Sequence, residues 1–314
     1  MNKNSIIYVA GHKGMVGNEI YQTLVNQGYT NIVTKSFEEL DLRKQDYVEH
    51  FFIKERLEYV FIAAAKVGGI IANSTYPAEF LYDNIMIQTN IIHCAYKYGV
   101  KKLVFLGSSC IYPKMCPQPI KEEYLLSGYL EPTNDAYAIA KISGIMMCNK
   151  YNKQYGTKFI SLMPTNLYGS INDNYDLEKS HVLPAMIRKF HEAKKQDKPF
   201  MELWGTGSPM REFLHVRDMA ESAVYCMLNY EDYSEHVNIG TGVDVTIKQV
   251  AGIVKDIVGY EGEIRWDTTK PDGTPRKLLD VSKINNMGWK HTIDIEDGIK
   301  MTYKELLEKH KLFN

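Results

Sequence analysis

Ser5-Ile6-Ile7-Tyr8-Val9-Ala10-Gly11-His12-Lys13-Gly14-Met15-Val16-Gly17 is the stretch whose reading decides the fold. Ser5 to Ala10 is a short apolar run, as a strand covered on both faces of a parallel sheet reads. It breaks at glycines spaced GxxGxxG, after which Val16, Ile20 and Leu24 recur at helical spacing up to Gln27-Gly28. Strand, glycine turn and helix in that order is the context in which this spacing binds a dinucleotide. Gly11, Gly14 and Gly17 allow a tight turn and close approach to a pyrophosphate seated on the helix N-terminus. Outside that context the same spacing is an ordinary strand-to-helix turn.

Working outward, a second strand at Asn31 to Thr34 ends in Thr34-Lys35-Ser36. An acid about 20 residues after the glycines would take a ribose 2′-hydroxyl. Lys35 stands there instead, and with Lys13 of the glycine loop it suits a 2′-phosphate, so NADP(H) is the expected cofactor. Both lysines also read as solvated surface charge. Glu58 to Ala65 is a third apolar run, and Ala63, Ala64 and Ala65 are small enough to let a cofactor ribose lie against the backbone.

After a long helical stretch (about 77–98), the run Leu103 to Gly107 delivers Ser108, Ser109 and Cys110 before Tyr112-Pro113 stops the strand. Ligands of an open parallel sheet bind at such C-terminal strand ends. The βαβ alternation predicts an α/β fold, a doubly wound parallel (Rossmann) sheet with a smaller mixed α/β substrate domain. The expected division is 1–169 with 214–242 for the dinucleotide, and 170–213 with 243–314 for the substrate. In this reading Ser170 to Lys179 is a polar loop into the smaller domain, and Arg211 to Val216 returns to the main one.

The 314 residues are 45% hydrophobic and carry 37 basic against 38 acidic groups, which favours neither nucleic acid nor a membrane surface as partner. Five cysteines without a CxxC pair argue for free thiols in a reducing cytoplasm and against a disulfide framework or a metal site. No apolar run reaches the roughly 18 residues of a membrane span. A cytoplasmic protein is expected.

Thr133-Asn134-Asp135 begins a helix in which Tyr137 and Lys141 stand four apart and share a face. An ammonium beside a phenol is expected to lower its pKa from about 10 toward working pH, making Tyr137 a general acid or base. YxxxK alone is commonly a surface pair. Behind a glycine-loop half-domain and a serine-bearing strand end it becomes specific.

With these features stand GHKGMVG (11–17), AAAKVGGI (63–70), NSTYPAEF (73–80), LGSSCIYPK (106–114) and EPTNDAYAIAKISG (131–144). MPTNLYG (163–169), SHVLPAMIRKFHEA (180–193), PMREFLHVRDMA (209–220), GTGVDVTI (240–247) and KPDGTPRKLLDVSKI (270–284) follow. Over most of its length the chain resembles the GDP-L-fucose synthase family of extended short-chain dehydrogenases/reductases. The resemblance implies reduction of a GDP-linked 4-keto sugar, with Tyr137 donating a proton, Lys141 tuning it and holding the nicotinamide ribose, and Ser108 bonding the ketone oxygen. It implies Cys110 and His181 as an epimerising pair, because a C-4 ketone acidifies C-3 and C-5. It extends the cofactor site to Met15, Val16, Asp41, Leu42, Leu106, Gly107, Pro164, Asn166, Leu167 and His181. It assigns Ser109, Asn166, Lys189, Trp204, Arg211 and Asp280 to the substrate, and it implies a homodimer through helices near 77–98 and 135–154.

Residue types alone read Arg188, Lys189, Arg211, Arg276 and Lys277 as solvated charge that could also meet a diphosphate. The chain departs from the family pattern at Phe37, where a second 2′-phosphate arginine is usual, and at Lys189, where arginine is common. Ser170 replaces the proline of a YGP run, and the loop to His181 is one residue longer. That loop borders the sugar pocket, so a GDP-4-keto-heptose C-4 reductase with little or no epimerase activity, serving surface polysaccharide synthesis, is the alternative. A 4,6-dehydratase or a UDP-sugar 4-epimerase would carry other residues at Ser108-Ser109-Cys110, and a non-catalytic nucleotide sensor would not need Ser108, Tyr137 and Lys141.

Overall fold

β1 (Ile7–Ala10) buries all four of its residues, and the turn after it leads into α1 (Met15–Asn26). The computed structural model describes residues 1–169, 182–233, 235–270 and 272–309. The chain continues through β2 (Ile32–Val33), α2 (Gln45–Glu55), β3 (Tyr59–Ile62), the short α3 (Ile70–Thr75), α4 (Pro77–Lys97) and β4 (Lys102–Leu106). Then come α5 (Asp135–Tyr155), β5 (Phe159–Pro164), β6 (Asn166–Tyr168), α6 (Val182–Lys195), β7 (Phe200–Trp204) and β8 (Met210–His215). The rest is α7 (Val216–Asn229), β9 (Val237–Ile239), β10 (Asp244–Thr246), α8 (Ile247–Val258), β11 (Glu263–Asp267), β12 (Arg276–Lys277), α9 (Ser282–Asn286) and α10 (Ile295–Lys309).

The large sheet runs β2-β1-β3-β4-β5-β9 with every pairing parallel. The chain moves from β1 outward to β2, then crosses back to lay β3 on the other side of β1. The order therefore reverses between β1 and β3, and a crevice opens beyond their C-terminal ends. The apolar runs of these strands read as continuous because helices cover both faces. Val9, Phe61, Phe105 and Leu162 are fully buried in one cluster.

A second cluster gathers Phe190, Phe213, Val254, Ile299 and Leu306. Around it, β8 is flanked by β10, β12 and β6, and β11 pairs with β7. Arg211 to His215 thus lies outside the large sheet, while Leu214 packs into the first cluster. The return is completed by α7, which packs against α1. Met210 and Arg211 are half-buried and Glu212 to His215 are buried in a row, Phe213 joining the second cluster and Leu214 the first.

Two local differences have simple causes. β3 ends at Ile62, so the three alanines form the turn beyond it, with Ala63 N–H still donating to Ala10 O at 3.0 Å. Asn134 is the N-cap of α5 but makes no side-chain cap bond, while Thr133 turns its hydroxyl to Glu131 instead. At α8 the cap is complete, since Thr246 and Gln249 bond each other's backbone N–H reciprocally. No helix among the described residues is long and apolar enough to cross a membrane.

Candidate active site

β4 is wholly buried and its exit is tightly held, Gly107 N–H donating to Leu162 O at 2.9 Å. Ser108 leaves the sheet extended and caps a single 3-10 turn, Ser109–Ile111, its hydroxyl accepting from Cys110 N–H at 3.4 Å. Ser109 and Cys110 are both buried in that turn. Tyr112 anchors it from below, donating to Asn238 Oδ1 at 2.5 Å beside His236. A small-residue turn pinned at both ends is a rigid place to present a hydroxyl and a thiol.

α5 crosses this turn and brings Tyr137 and Lys141 to it. Lys141 Nζ donates to Leu106 O at 2.8 Å and stands 5.7 Å from the Tyr137 ring centroid. Burial lowers Lys141 to about 8, so the ammonium is held at a cost that a hydrogen-bonded carbonyl offsets. The phenol of Tyr137 is not lowered, as expected from sequence, but raised. Burial strips its water, the nearby Cys110 opposes a second negative charge, and the lysine's bond goes to Leu106 instead. Tyr137 is therefore a firmly protonated acid in this state. Phe80 closes one side, edge-on to Tyr137 at 6.4 Å.

The glycine turn sits at the reversal point of the sheet. Gly11 has φ +83°, and a Cβ there would lie 2.6 Å from Ala64 N. A Cβ at Gly17 would lie 2.1 Å from Gly11 O, so α1 approaches the turn as closely as backbone allows. Gly14 is the N-cap of α1, and with no side chain capping Met15, Val16 and Gly17, that first turn has N–H groups free for an anion. Lys13 lies 3.7 Å from Glu38 and Lys35 3.5 Å from Glu39, both at the surface. Phe37 is exposed beneath the Arg43 guanidinium, 5.1 Å from its ring centroid. Asp41 holds Arg43 through two bonds of 2.9 Å, and Leu42 O accepts from Asn90. Leu106, Gly107 and Pro164 stand at the C-terminal ends of the neighbouring strands β4 and β5.

Across from it, Lys189 on α6 and Lys270 lie over the exposed Trp204 ring at 5.8 and 5.6 Å. Asp272 pins the glycine turn after Trp204, accepting from Thr206 N–H at 2.9 Å. Arg211 donates to Met210 O and is lowered by burial, and Lys277 pairs beside it on β12. Arg276 and Arg188 are taken up by Asp244 and Glu192, each at 2.6 Å. Asp280 caps its own turn, accepting from Ser282 N–H at 2.8 Å. Asn166 donates to Glu212 O at 2.8 Å, and Leu167 pairs with Leu214. His181 lies outside the described residues, as does the loop 170–180. Among the described residues no cluster of three His, Cys, Asp or Glu could hold a metal.

The model of the NAD dependent epimerase/dehydratase family matches residues 7–240. The chain is 57% identical to GDP-L-fucose synthase 1 of Arabidopsis thaliana over 302 residues, 96% of this chain and 93% of that one. It belongs to the GDP-L-fucose synthase family. Two solved structures are similar across nearly the whole length. A GDP-6-OMe-4-keto-L-xylo-heptose reductase from C. jejuni superposes with TM-score 0.92 at 43% identity, covering 99% of both chains. A GDP-L-fucose synthetase from Naegleria fowleri bound to NADP superposes with TM-score 0.92 at 31% identity, covering 99% of this chain and 95% of that one.

Within this family's fold, three residues escaped the sequence reading. Arg43 brings a cation to the edge where Phe37 replaces an arginine, across a gap in sequence that no spacing rule reveals. Lys270 joins Lys189 at Trp204 from the other side of the chain. Glu212 is fully buried, its carboxylate accepting from Thr241, Gly242 and Leu279 N–H at 2.6, 2.8 and 3.0 Å. It ties β8 to the loops beyond β9 and β12. An acid directly before the apolar pair Phe213-Leu214 was the available signal.

Proposed function

We propose that this protein is an NADPH-dependent epimerase/reductase of a GDP-linked 4-keto sugar, giving GDP-L-fucose or a close analogue. The observation that carries it is Lys141 bonded to Leu106 O beneath a protonated Tyr137, at the strand end that presents Ser108. The glycine cradle, which any Cβ at Gly11 or Gly17 would fill, fits a dinucleotide, and Lys13, Lys35 and Arg43 suit its 2′-phosphate. The Naegleria relative's NADP supports the same cofactor.

When bound, the nicotinamide supplies a hydride to C-4. Ser108 donates a hydrogen bond to the ketone oxygen, and Tyr137 gives up its proton as that oxygen becomes an alkoxide. Lys141 offsets the phenolate charge that results and holds the ribose. Cys110 and His181 act on opposite faces of the sugar, one taking a proton from a carbon beside the ketone and the other returning one. Ser109, Asn166, Lys189, Trp204, Arg211 and Asp280 hold the GDP-sugar, chiefly through charge and the Trp204 face.

A dinucleotide domain of 1–169 with 214–242 and a substrate domain of 170–213 with 243–314 is supported by the separate second cluster around Phe190, Phe213, Val254 and Ile299, although Leu279, Val281, Ile284 and Trp289 pack into the first. A homodimer fits the exposed Tyr82, Ile139 and Tyr155 on α4 and α5, and a cytoplasmic setting fits the free thiols. The similarity to a heptose reductase favours a second reading, C-4 reduction of a GDP-heptose without epimerisation, in the making of capsular polysaccharide.

Incubation with GDP-4-keto-6-deoxy-mannose and NADPH in deuterated water separates the two. Reduced product with solvent deuterium at C-3 and C-5 is expected. Reduction of the heptose alone, without deuterium, would establish the second reading.

A further inference from the structure

The turn that presents Ser108 and Cys110 ends at Tyr112, whose N–H closes it on Ser109 O. Tyr112 is buried, and its hydroxyl reaches Asn238 Oδ1 at 2.5 Å and His236 Nε2 at 3.0 Å. Asn238 lies on β9, the last strand of the large sheet, and has no exposed surface. Its Nδ2 donates to Ile120 O at 2.9 Å and to Asp280 O at 3.2 Å, and its backbone N–H donates to Glu122 Oε1 at 3.0 Å. Asp280 N–H in turn donates to Ile120 O at 2.8 Å. Both backbone polar groups of Asp280 are thus fixed, one by Ile120 and one by Asn238.

These partners determine where the protons of the junction lie. Two carbonyl oxygens face Nδ2, so the amide stands with its oxygen toward Tyr112. An amide oxygen carries no proton, so the tyrosine's only one lies on the line to Asn238. His236 must then donate from Nε2, and burial, which lowers its pKa to about 4, keeps that ring neutral. Asn238 uses its oxygen and both amide hydrogens, with no donor to spare. A buried network filled in this way has one arrangement, and a substitution that reverses a donor leaves groups unpaired. One arm ends at the turn carrying Ser108 and Cys110, the other at Asp280.

We propose that Asn238 is a positioning residue that couples the turn presenting Ser108 to the Asp280 segment, so that one buried amide sets the reacting groups against the bound nucleotide sugar. The proposal rests on the reading of Ser108 as a reaction residue and Asp280 as a substrate contact. Asn238 is fully enclosed and acts through Tyr112 on one side and the Asp280 backbone on the other. The Glu212 carboxylate holds the neighbouring Leu279 N–H but reaches back to β8, not to the Ser108 turn. Displacing a reacting group by about 1 Å is enough to cost on the order of 10²-fold in turnover.

Steady-state turnover of the full chain with NADPH and the GDP-4-keto sugar, together with calorimetric affinities for GDP and for NADPH, tests this. Tyr112→Phe cuts the first arm alone, so kcat should fall about 10- to 100-fold while GDP affinity changes by less than about threefold. Asn238→Asp turns an oxygen toward Ile120 O and Asp280 O, and GDP affinity should fall about five- to tenfold. In both variants NADPH affinity should stay within about threefold, which general loosening of the fold would not allow. In the double variant the losses in kcat/KM should fall short of multiplying. Should Asn238→Asp not fold, Asn238→Ser carries the same comparison. Unchanged kcat in Tyr112→Phe, fully multiplying losses, or equal losses of GDP and NADPH affinity in Asn238→Asp overturn the proposal. Asp280→Asn with undiminished GDP affinity removes the substrate reading beneath it, whereas a loss there without one in Asn238→Asp removes the coupling alone.

Discussion

Lys141 Nζ donates to Leu106 O at 2.8 Å, which fastens the middle of α5 to the last residue of β4. This bond ties the helix that carries Tyr137 to the strand end that leads to Ser108. It also explains why the lysine stays buried instead of turning to solvent.

Tyr137 makes no hydrogen bond among the described residues, so Tyr137→Phe should fold with nearly unchanged thermal stability. Its turnover should fall about 10²- to 10⁴-fold, the usual loss for a general acid. NADPH oxidation with the 4-keto sugar measures this; unchanged turnover would mean the fold has lost or relocated its catalysis.

Lys141 titrates at about 8 in the folded chain, against 10.5 unperturbed. Between those values the unfolded chain carries a proton that the folded one lacks, so stability rises with pH across that window. Lys141→Met has no such group. Urea unfolding at about pH 7.5 and about pH 9.5 should show wild type gaining on the variant by on the order of 2 kcal/mol.

Gly17→Ala places a Cβ 2.1 Å from Gly11 O, which only a shift of α1 away from the turn can relieve. A stability loss of about 1–3 kcal/mol is expected from such overpacking. NADPH affinity, followed by nicotinamide fluorescence, should fall more steeply than affinity for GDP. Equal losses would count against the glycine turn as the dinucleotide cradle.

Glu212 is raised by burial although three backbone N–H groups favour its anion. Above the ordinary carboxylate range the folded chain therefore binds a proton that the unfolded one has released. Its contribution falls as pH climbs through that interval. Glu212→Gln should flatten this dependence and cost about 1–3 kcal/mol in urea, since an amide cannot accept at both of its ends. A variant as stable as the wild type, with the same pH slope, would refute the role.

Much of the site was legible because its chemistry is local. GxxGxxG, the Ser108 strand end and the Tyr137–Lys141 pair each lie within one turn or one helix face, where spacing alone decides who shares a surface. The phenol's titration was not legible. It depends on where the lysine's bond goes and how much water burial removes, and neither is encoded in a spacing of four.

What the sequence determined by itself is the parallel α/β sheet, the glycine turn at its reversal point and the sharing of one helix face by Tyr137 and Lys141, since periodicity and glycine placement are short-range constraints on backbone. Only the tertiary structure decided what meets across the chain. Arg43 lies over Phe37, Lys270 stands with Lys189 over Trp204, and Glu212 gathers three distant N–H groups. Apart from Arg43 and Phe37, these pairings join residues tens of positions or more apart. Burial then sets their charge states, and burial is a property of the folded whole.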